Sequence, residues 1–554
     1  MNKEILKIID LTSQGQGIAK TKDGKVTFIR HVVPGDRIKA DLIPYKKNIW
    51  QTENIELVEQ SVDRIEPLCP YFNDSLSLEK PGCGGCQIQQ IPYDTLADIK
   101  EKQIYDQLER IAKLNLADIS CEKIIKAEDP WHYRNHIQLK ISYDEKQQKF
   151  IKGFYAEQSH EIVEHESCYI APKVETLIWL KIEMYLDTTK YVKVFKCHFK
   201  ELIIRLGVHT GQLLIAFHFD SIPSELQKDM EKLKNEIAEL ADAINQNLDQ
   251  QKVMSFYLIE QNKQQIHLWG KPYFIEKILG KQFQIYPQSF FQVNTSQAER
   301  LIQAVLADVN KLENNKDKLG TVYDLYCGTG VIGILLSEYF EQIKGVEISA
   351  DAIQNAKENA ALNQVKSFEF EQGKAEDWLL KQVIKKQDFI VVDPPRKGLA
   401  SKLIETLNKI EAQNLIYVSC NPATLARDIK MLSSKWQVKT IQPLDLFPWT
   451  MHVETVALLS KLDVDQHIKV KLDMDELDIT ASESKATYEE IKDYVLKKND
   501  MKVSNLYISQ IKRKCGLEVG KNYNVSKKEN PIVPNCPPEK EEAIREALEH
   551  FKMI

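Results

Sequence analysis

Four short segments of this 554-residue chain carry side chains of the types and spacing that do chemistry. Ser419-Cys420-Asn421-Pro422 offers a thiol, flanked in sequence by the carboxylates of Asp393-Pro394-Pro395-Arg396 and His452-Val453-Glu454. Upstream, Asp324-Leu325-Tyr326-Cys327-Gly328-Thr329-Gly330 is a glycine turn, where a backbone without side chains lets a nucleoside cofactor lie close. Together they point to an S-adenosylmethionine enzyme that attacks its substrate covalently before methylating it. Most methyltransferases need no nucleophile of their own, so the cysteine narrows the chemistry. Uracil C5 is a poor nucleophile until a thiolate adds to C6 and converts the ring to an enolate. Once C5 is methylated its proton must leave, which requires a base. Cys420 is the candidate nucleophile and Glu454 the candidate base, with His452 as the alternative base. The competing readings are a buried packing thiol for Cys420 and a surface carboxylate for Glu454.

Gly328 and Gly330 supply the turn, and Glu347, 23 residues beyond Asp324, falls where a carboxylate binds ribose hydroxyls. Glycine turns alone are shared by nucleotide folds and ordinary tight turns; Asp393-Pro394-Pro395 at the end of the fourth strand favours the methyltransferase. Enzymes that methylate exocyclic amines usually present an aromatic residue after the two prolines, and Arg396 stands there instead. Cys327 reads as packing beside the cofactor.

Cys69, Cys83, Cys86 and Cys168 form a C-x13-C-x2-C pattern with a remote fourth thiol. Four thiolates suit a structural zinc or an iron–sulfur cluster. Zinc ribbons usually pair two close couples, whereas three near cysteines wrapped by glycines and one distant ligand lean towards 4Fe-4S. Cys121, Cys197, Cys515 and Cys536 show no partner pattern.

The elements that must position these groups are multidomain α/β. From Ile5 to about Val58, short alternating strands such as 25–29 and 37–43 are separated by glycine and proline turns, as in a small β-barrel of about five strands. Its charge is weakly basic, ten Lys/Arg against eight Asp/Glu over 1–59, which suits RNA or an ordinary solvated surface. A helix is expected over Tyr93–Leu114, with Leu96, Ile99, Ile104, Leu108 and Ile111 apolar, then strands near 136–141, 200–206, 212–218 and 253–259. From Val322 strands and helices alternate through Val418, a doubly wound sheet. The expected domains are a barrel over 1–60, a central α+β domain over 61–280 holding the four cysteines, with its helix a candidate to pack on the catalytic part, and a Rossmann-like class I methyltransferase domain over 281–462. An acidic linker over 463–484 and a helical extension over 485–554 follow. The extension is expected to hold helices from a Thr487 cap with Glu490 in a capping box, and from Ser504 to Cys515 before Gly516. Lys512-Arg513-Lys514 suits a helix-turn-helix-like RNA contact or a solvated helix end.

With 43% apolar and 28% charged residues and a net charge of −6, composition is ordinary for a globular chain and neither demands nor excludes nucleic acid. No long apolar run and no leader-like start are visible, so a soluble, cytoplasmic protein without membrane contact is expected. Ten cysteines are too sparse for a disulfide scaffold.

Ser-Cys-Asn-Pro, Asp-Pro-Pro-Arg, His-Val-Glu and Ser289-Phe290-Phe291-Gln292-Val293-Asn294 together resemble the RNA (uracil-5-)-methyltransferases, over roughly Met1–Leu459. With the preceding domains, the chain looks like their RumA/RlmD-type 23S ribosomal RNA branch. The resemblance implies that Gln292, Tyr326, Glu347 and Asp393 bind S-adenosylmethionine, that Cys420 is the nucleophile and that Glu454 is the proton acceptor. Phe290 falls where the family has an aromatic near the flipped nucleotide, although Phe290-Phe291 as a lone motif reads more often as core. The barrel looks like a TRAM domain, which in this family contacts RNA. The resemblance also ranks 4Fe-4S ahead of zinc for the four cysteines, while the stretch from Pro70 to Gly82 is longer than relatives often have. The implied activity is 5-methyluridine formation in 23S ribosomal RNA by a monomer. A tRNA uracil-C5 enzyme shares every catalytic motif, although the typical bacterial one lacks the barrel and the cluster. A catalytically inactive RNA-binding assembly factor is the alternative of another class. The tail is expected to add RNA affinity without touching methyl transfer.

Overall fold

The computed structural model describes residues 2–46, 49–73, 82–261, 264–312, 318–462, 488–499, 501–515, 517 and 536–551. Two compact units emerge, residues 1–467 and 468–554. The chain begins with β1 (Asn2–Leu11), β2 (Gly17–Lys20), β3 (Val26–Ile29), β4 (Arg37–Lys46) and β5 (Ile49–Glu59), which close into a barrel in the order β1-β2-β3-β5-β4. Period-two alternation makes it: Leu6 and Ile8 point into the barrel core with Ile38 and Ala40, while Ile5 and Ile9 face out.

After the cysteine segment, α1 (Tyr93–Arg110) buries Leu96, Lys100, Ile104 and Leu108 along one row of its surface, and β6 (Ser120–Cys121) follows. Ala97, Ile104 and Leu108 share a core with the catalytic sheet, and β6 extends the edge of that sheet. These elements therefore belong structurally with the catalytic part, although they lie within the stretch expected to form the central domain.

Next come β7 (His136–Asp144), β8 (Lys149–Tyr155), β9 (Ile162–Glu164), α2 (Glu175–Thr188), α3 (Val192–His198), β10 (Phe199–Leu206), β11 (Gln212–Phe219), α4 (Ser224–Lys228), α5 (Met230–Asn245), β12 (Lys252–Glu260) and β13 (Gln265–Gly270). The strands form one sheet, β13-β12-β11-β10-β7-β8-β9, whose apolar face packs on α2 and α5. A hairpin of β14 (Phe274–Ile278) and β15 (Lys281–Ile285) and then α6 (Thr295–Leu312) lead into the catalytic sheet.

That sheet alternates as the sequence predicts: β16 (Leu319–Leu325), α7 (Val331–Leu336), β17 (Phe340–Glu347), α8 (Ala350–Leu362), β18 (Phe368–Gln372), α9 (Ala375–Leu379), β19 (Phe389–Val392), α10 (Ser401–Lys409), β20 (Asn414–Ser419), α11 (Pro422–Leu432), β21 (Trp436–Leu444) and β22 (Glu454–Lys461). Its order is β18-β17-β16-β19-β20-β22-β21-β6, parallel as far as β20 and antiparallel between β20, β22 and β21. The order reverses between β16 and β19, and a crevice opens there at the carboxyl ends of the strands, where ligands of such sheets bind.

The second unit contains α12 (Tyr488–Asn499), α13 (Asn505–Lys514) and α14 (Pro538–His550) around Ile491, Val495, Ile508, Ile511, Ile544 and Leu548. Ser504 caps α13 as expected, its hydroxyl accepting from the Tyr507 amide at 3.3 Å. The Thr487 cap, the side chain of Glu490, Gly516 and the acidic linker lie outside the described residues. α14 was not anticipated. Of the basic trio, Lys512 is buried and Lys514 pairs with Glu541 at 2.6 Å, leaving Arg513 exposed. Among the described residues no helix is long and apolar enough to cross a membrane.

Candidate active site

β16 ends in a turn that runs through left-handed backbone three times in five residues, at Tyr326 (φ 65°), Gly328 (φ 53°) and Gly330 (φ 81°). A side chain at Gly330 would press on Ala356, Ile334 and Phe370 at 3.2 Å, so tight packing adds to the left-handed backbone in favouring glycine there. At Gly328 nothing lies within 4 Å, because its open side faces a cavity of about 1170 Å³. Gln292, Tyr326, Gly328, Glu347, Asp393 and Phe290 all line this cavity. Below the turn, Asp324 is fully buried; one carboxylate oxygen accepts the Gly333 amide at 2.9 Å and the other has no partner. Burial, reinforced by Asp393 and Glu347, pushes Asp324 up to about 7, and burial does the same to Asp393. An unpaired buried carboxylate, a turn face without side chains and Glu347 at the end of β17 fit a ligand that brings a cationic group and ribose hydroxyls. S-adenosylmethionine is such a ligand.

Cys420 stands at the end of β20, half-buried, and the register carries a carboxylate to its side. β22 runs antiparallel to β20 with Thr455 opposite Ser419, which brings Glu454, the first residue of β22, next to Cys420. Asn421 caps α11 by accepting the Ala423 amide at 3.0 Å, Pro422 opens the helix, and the Asn421 side chain also donates to the Arg396 carbonyl at 3.1 Å. The Ser-Cys-Asn-Pro turn and the Asp-Pro-Pro-Arg turn are thus tied together. Burial pushes the Cys420 thiol up to about 11, with Glu454 and Asp393 adding to the rise and Arg396 opposing it. Glu454, only 4% exposed, is held well above the usual carboxylate range by burial and then by Asp393, with Arg396 pulling the other way. His452 goes down to about 4 through burial and through the cations Arg396, Lys100 and Arg134. An Arg396 N–H stands 3.0 Å from its Nε2.

The adjacent phenylalanines divide: Phe291 is core, and Phe290 is 71% exposed on the cavity rim. The loop they share is fastened from the central sheet. The Asn135 side chain donates to the Gln292 carbonyl at 2.9 Å, and one Arg205 nitrogen donates to the carbonyls of Tyr286, Pro287 and Ser289 at 2.8, 3.0 and 2.9 Å.

Cys69, Cys83, Cys86 and Cys168 are half-buried free thiols lining one small cavity of about 20 Å³ with Phe72 and Phe154. Burial raises all four, Cys83 and Cys86 to about 12. Among the described residues, no three His, Cys, Asp or Glu side chains form a group able to hold a metal ion. The distant Cys168 therefore does join the first three around one cavity, but a ligand cluster is not formed in this geometry.

A model of the tRNA (uracil-5-)-methyltransferase family matches residues 99–462. An uncharacterized RNA methyltransferase of Clostridium acetobutylicum is 34% identical over 471 residues, covering 82% of this chain and 96% of the relative. One from Halalkalibacterium halodurans is likewise 34% identical, covering 82% and 95%. The chain belongs to the tRNA (uracil-5-)-methyltransferase family. The family resemblance read from the motifs is therefore borne out, and with it S-adenosylmethionine-dependent RNA methylation as the family's chemistry. The crystal structure of Pyrococcus abyssi tRNA (uracil-54, C5)-methyltransferase with S-adenosyl-L-homocysteine shares the fold, with a TM-score of 0.60 at 24% identity over 83% of this chain and all of that one.

Sequence reasoning missed what holds the family's motifs in place. Lys100 on α1 is entirely buried and donates to Asp445 at 2.7 Å and to the Phe447 carbonyl at 3.1 Å, bracing the loop that leads to Glu454. A signal existed: Lys100 interrupts the apolar row Leu96, Ile104, Leu108 at helical spacing, where a charge needs a partner. Arg205 gave none, being one of many cations at strand positions.

Proposed function

We propose that this protein methylates uracil C5 in 23S ribosomal RNA, with Cys420 as nucleophile and Glu454 as base. The observation that carries the mechanism is the convergence of Cys420 just after β20, Glu454 at the start of β22 and Asp393 after β19, the last of which lines the cavity. Bound S-adenosylmethionine supplies an electrophilic methyl group. The Cys420 thiolate adds to uracil C6, the C5 electron pair takes up the methyl, Glu454 removes the C5 proton, and elimination of the thiolate restores the C5–C6 double bond. Glu454 suits the base because burial raises its basicity, whereas His452 is held neutral near 4 with a nitrogen facing the Arg396 guanidinium. Gln292, Tyr326, Gly328, Glu347 and Asp393 would hold the cofactor, since each lines the cavity. Phe290 would stack on the extruded base, offsetting about 1–3 kcal/mol of lost stacking.

The assignment of Cys69, Cys83, Cys86 and Cys168 as ligands of a 4Fe-4S cluster rests on the resemblance; the structure adds that the four thiols surround one cavity, without a metal-holding group among the described residues. The ribosomal assignment rests on the barrel and the four thiols. The tRNA reading is favoured by a different observation: the whole Pyrococcus abyssi tRNA enzyme matches 83% of this chain, so the architecture is not confined to ribosomal enzymes. Mapping 5-methyluridine in ribosomal and transfer RNA from cells with and without the gene separates them. Loss from 23S RNA alone is expected; loss from tRNA alone would replace the substrate, and no loss from either would favour an inactive RNA-binding factor.

A further inference from the structure

Trp449 lies five positions before Glu454 and holds a backbone conformation that costs a non-glycine residue free energy, with φ at 62°. Such strain persists only where surrounding contacts over-determine it. Here they do, and most come from outside the catalytic sheet. The Trp449 carbonyl accepts from the amides of Gln87 and Ile88 at 2.8 and 3.1 Å, directly after Cys86. The Gln87 side chain returns the contact by accepting the Met451 amide at 2.8 Å. The indole N–H donates to the Pro130 carbonyl at 3.0 Å, the ring stacks on Trp131 at 4.5 Å, and Tyr93 tilts against it at 5.6 Å. Tyr133 donates to the neighbouring Pro448 carbonyl at 3.1 Å. Trp449 and Met451 share an apolar cluster with Leu11 and Val33 of the barrel, Ile88 and Ile91 of the cysteine segment and Leu96 of α1. Barrel, cysteine segment and α1 thus all converge on the turn that delivers Glu454.

We propose that Trp449 is the positioning residue for Glu454: its locked left-handed turn, gripped by Gln87, Ile88 and Trp131, sets where Glu454 enters β22 beside Cys420. The inference rests on Glu454 being the base. It makes the segment that follows Cys86 part of the catalytic geometry through its backbone, whatever the four thiols hold.

The test uses full-length enzyme and a ribosomal RNA transcript carrying tritium at uridine C5, whose release reports proton removal. Trp449→Gly accepts the backbone angle and keeps the carbonyl bonds to Gln87 and Ile88, but removes the indole's contacts with Pro130, Trp131 and Tyr93. It should lower the release rate about a hundredfold, the scale of a 1 Å misplacement, with KM for RNA and for methyl donor within about threefold. The acidic limb of its kcat profile should move to lower pH as Glu454 loses burial. Trp449→Phe keeps the ring and should recover most of the rate. Gln87→Ala, altering an exposed side chain, should cost about fivefold in kcat, the worth of one hydrogen bond. Wild-type kcat in Gln87→Ala together with wild-type kcat or an unfolded chain in Trp449→Gly overturns the proposal, as does a loss carried wholly by KM. Glu454→Gln separates the two failures. If it turns over normally the base assignment has failed, and if it stalls while Trp449→Gly and Gln87→Ala run normally only the positioning inference has.

Discussion

A thiol pushed up to about 11 is mostly protonated at neutral pH, so Cys420, the proposed nucleophile, is quiet in the free enzyme. Alkylation of Cys420 by iodoacetamide, followed by peptide mass analysis, should therefore rise about tenfold per pH unit and still be rising above about pH 9. The neighbours set the direction of each variant. Glu454→Gln removes a charge that raises the thiol and should speed alkylation, while Arg396→Gln removes one that lowers it and should slow it. A plateau below about pH 9 would contradict the burial of the thiol. The proposed roles of Cys420, Glu454, Asp393 and the glycine turn come from contiguous motifs, which is why sequence alone could nominate them. The approach of Arg396 to His452 was not, since 56 positions separate them and only the fold brings them together. Nor could sequence divide Phe290 from Phe291, because identical neighbours differ only in which way the backbone points them.

Elements place those groups, and α1 is the one whose role sequence understated. Its apolar period was plain, but a lysine in the buried row has meaning only with Asp445, on a loop that follows β21. Lys100→Ala leaves Asp445 buried and unpaired and should destabilise the first unit by about 3–5 kcal/mol in a urea titration. The paired change Lys100→Met with Asp445→Leu should recover most of that loss, and an undisturbed Lys100→Ala would show that the pair carries no such weight. The strands of the β16–β22 sheet were readable from alternation, whereas the antiparallel β20–β22 pairing that brings Cys420 and Glu454 together is a long-range fact invisible to local pattern. α14 escaped notice because Pro537-Pro538 resembles a loop, although proline at the first helical position is equally a helix start.

At the scale of the molecule, the family match ends at residue 462, and the second compact unit lies beyond it. Residues 1–482 should therefore keep the full methyl-transfer rate, and a tenfold loss of kcat on truncation would contradict this separation. With Lys512 buried and Lys514 paired, Arg513 is the member of that trio best placed for a phosphate, so these three residues should contribute about one unit to the salt dependence of RNA binding. The proposed mechanism turns on a single covalent event. Glu454→Gln enzyme, mixed with uridine-containing ribosomal RNA and S-adenosylmethionine, should accumulate a denaturation-resistant RNA–protein species whose digest carries methylated uridine on Cys420. Its absence, or full methylation by Cys420→Ala, would contradict the account.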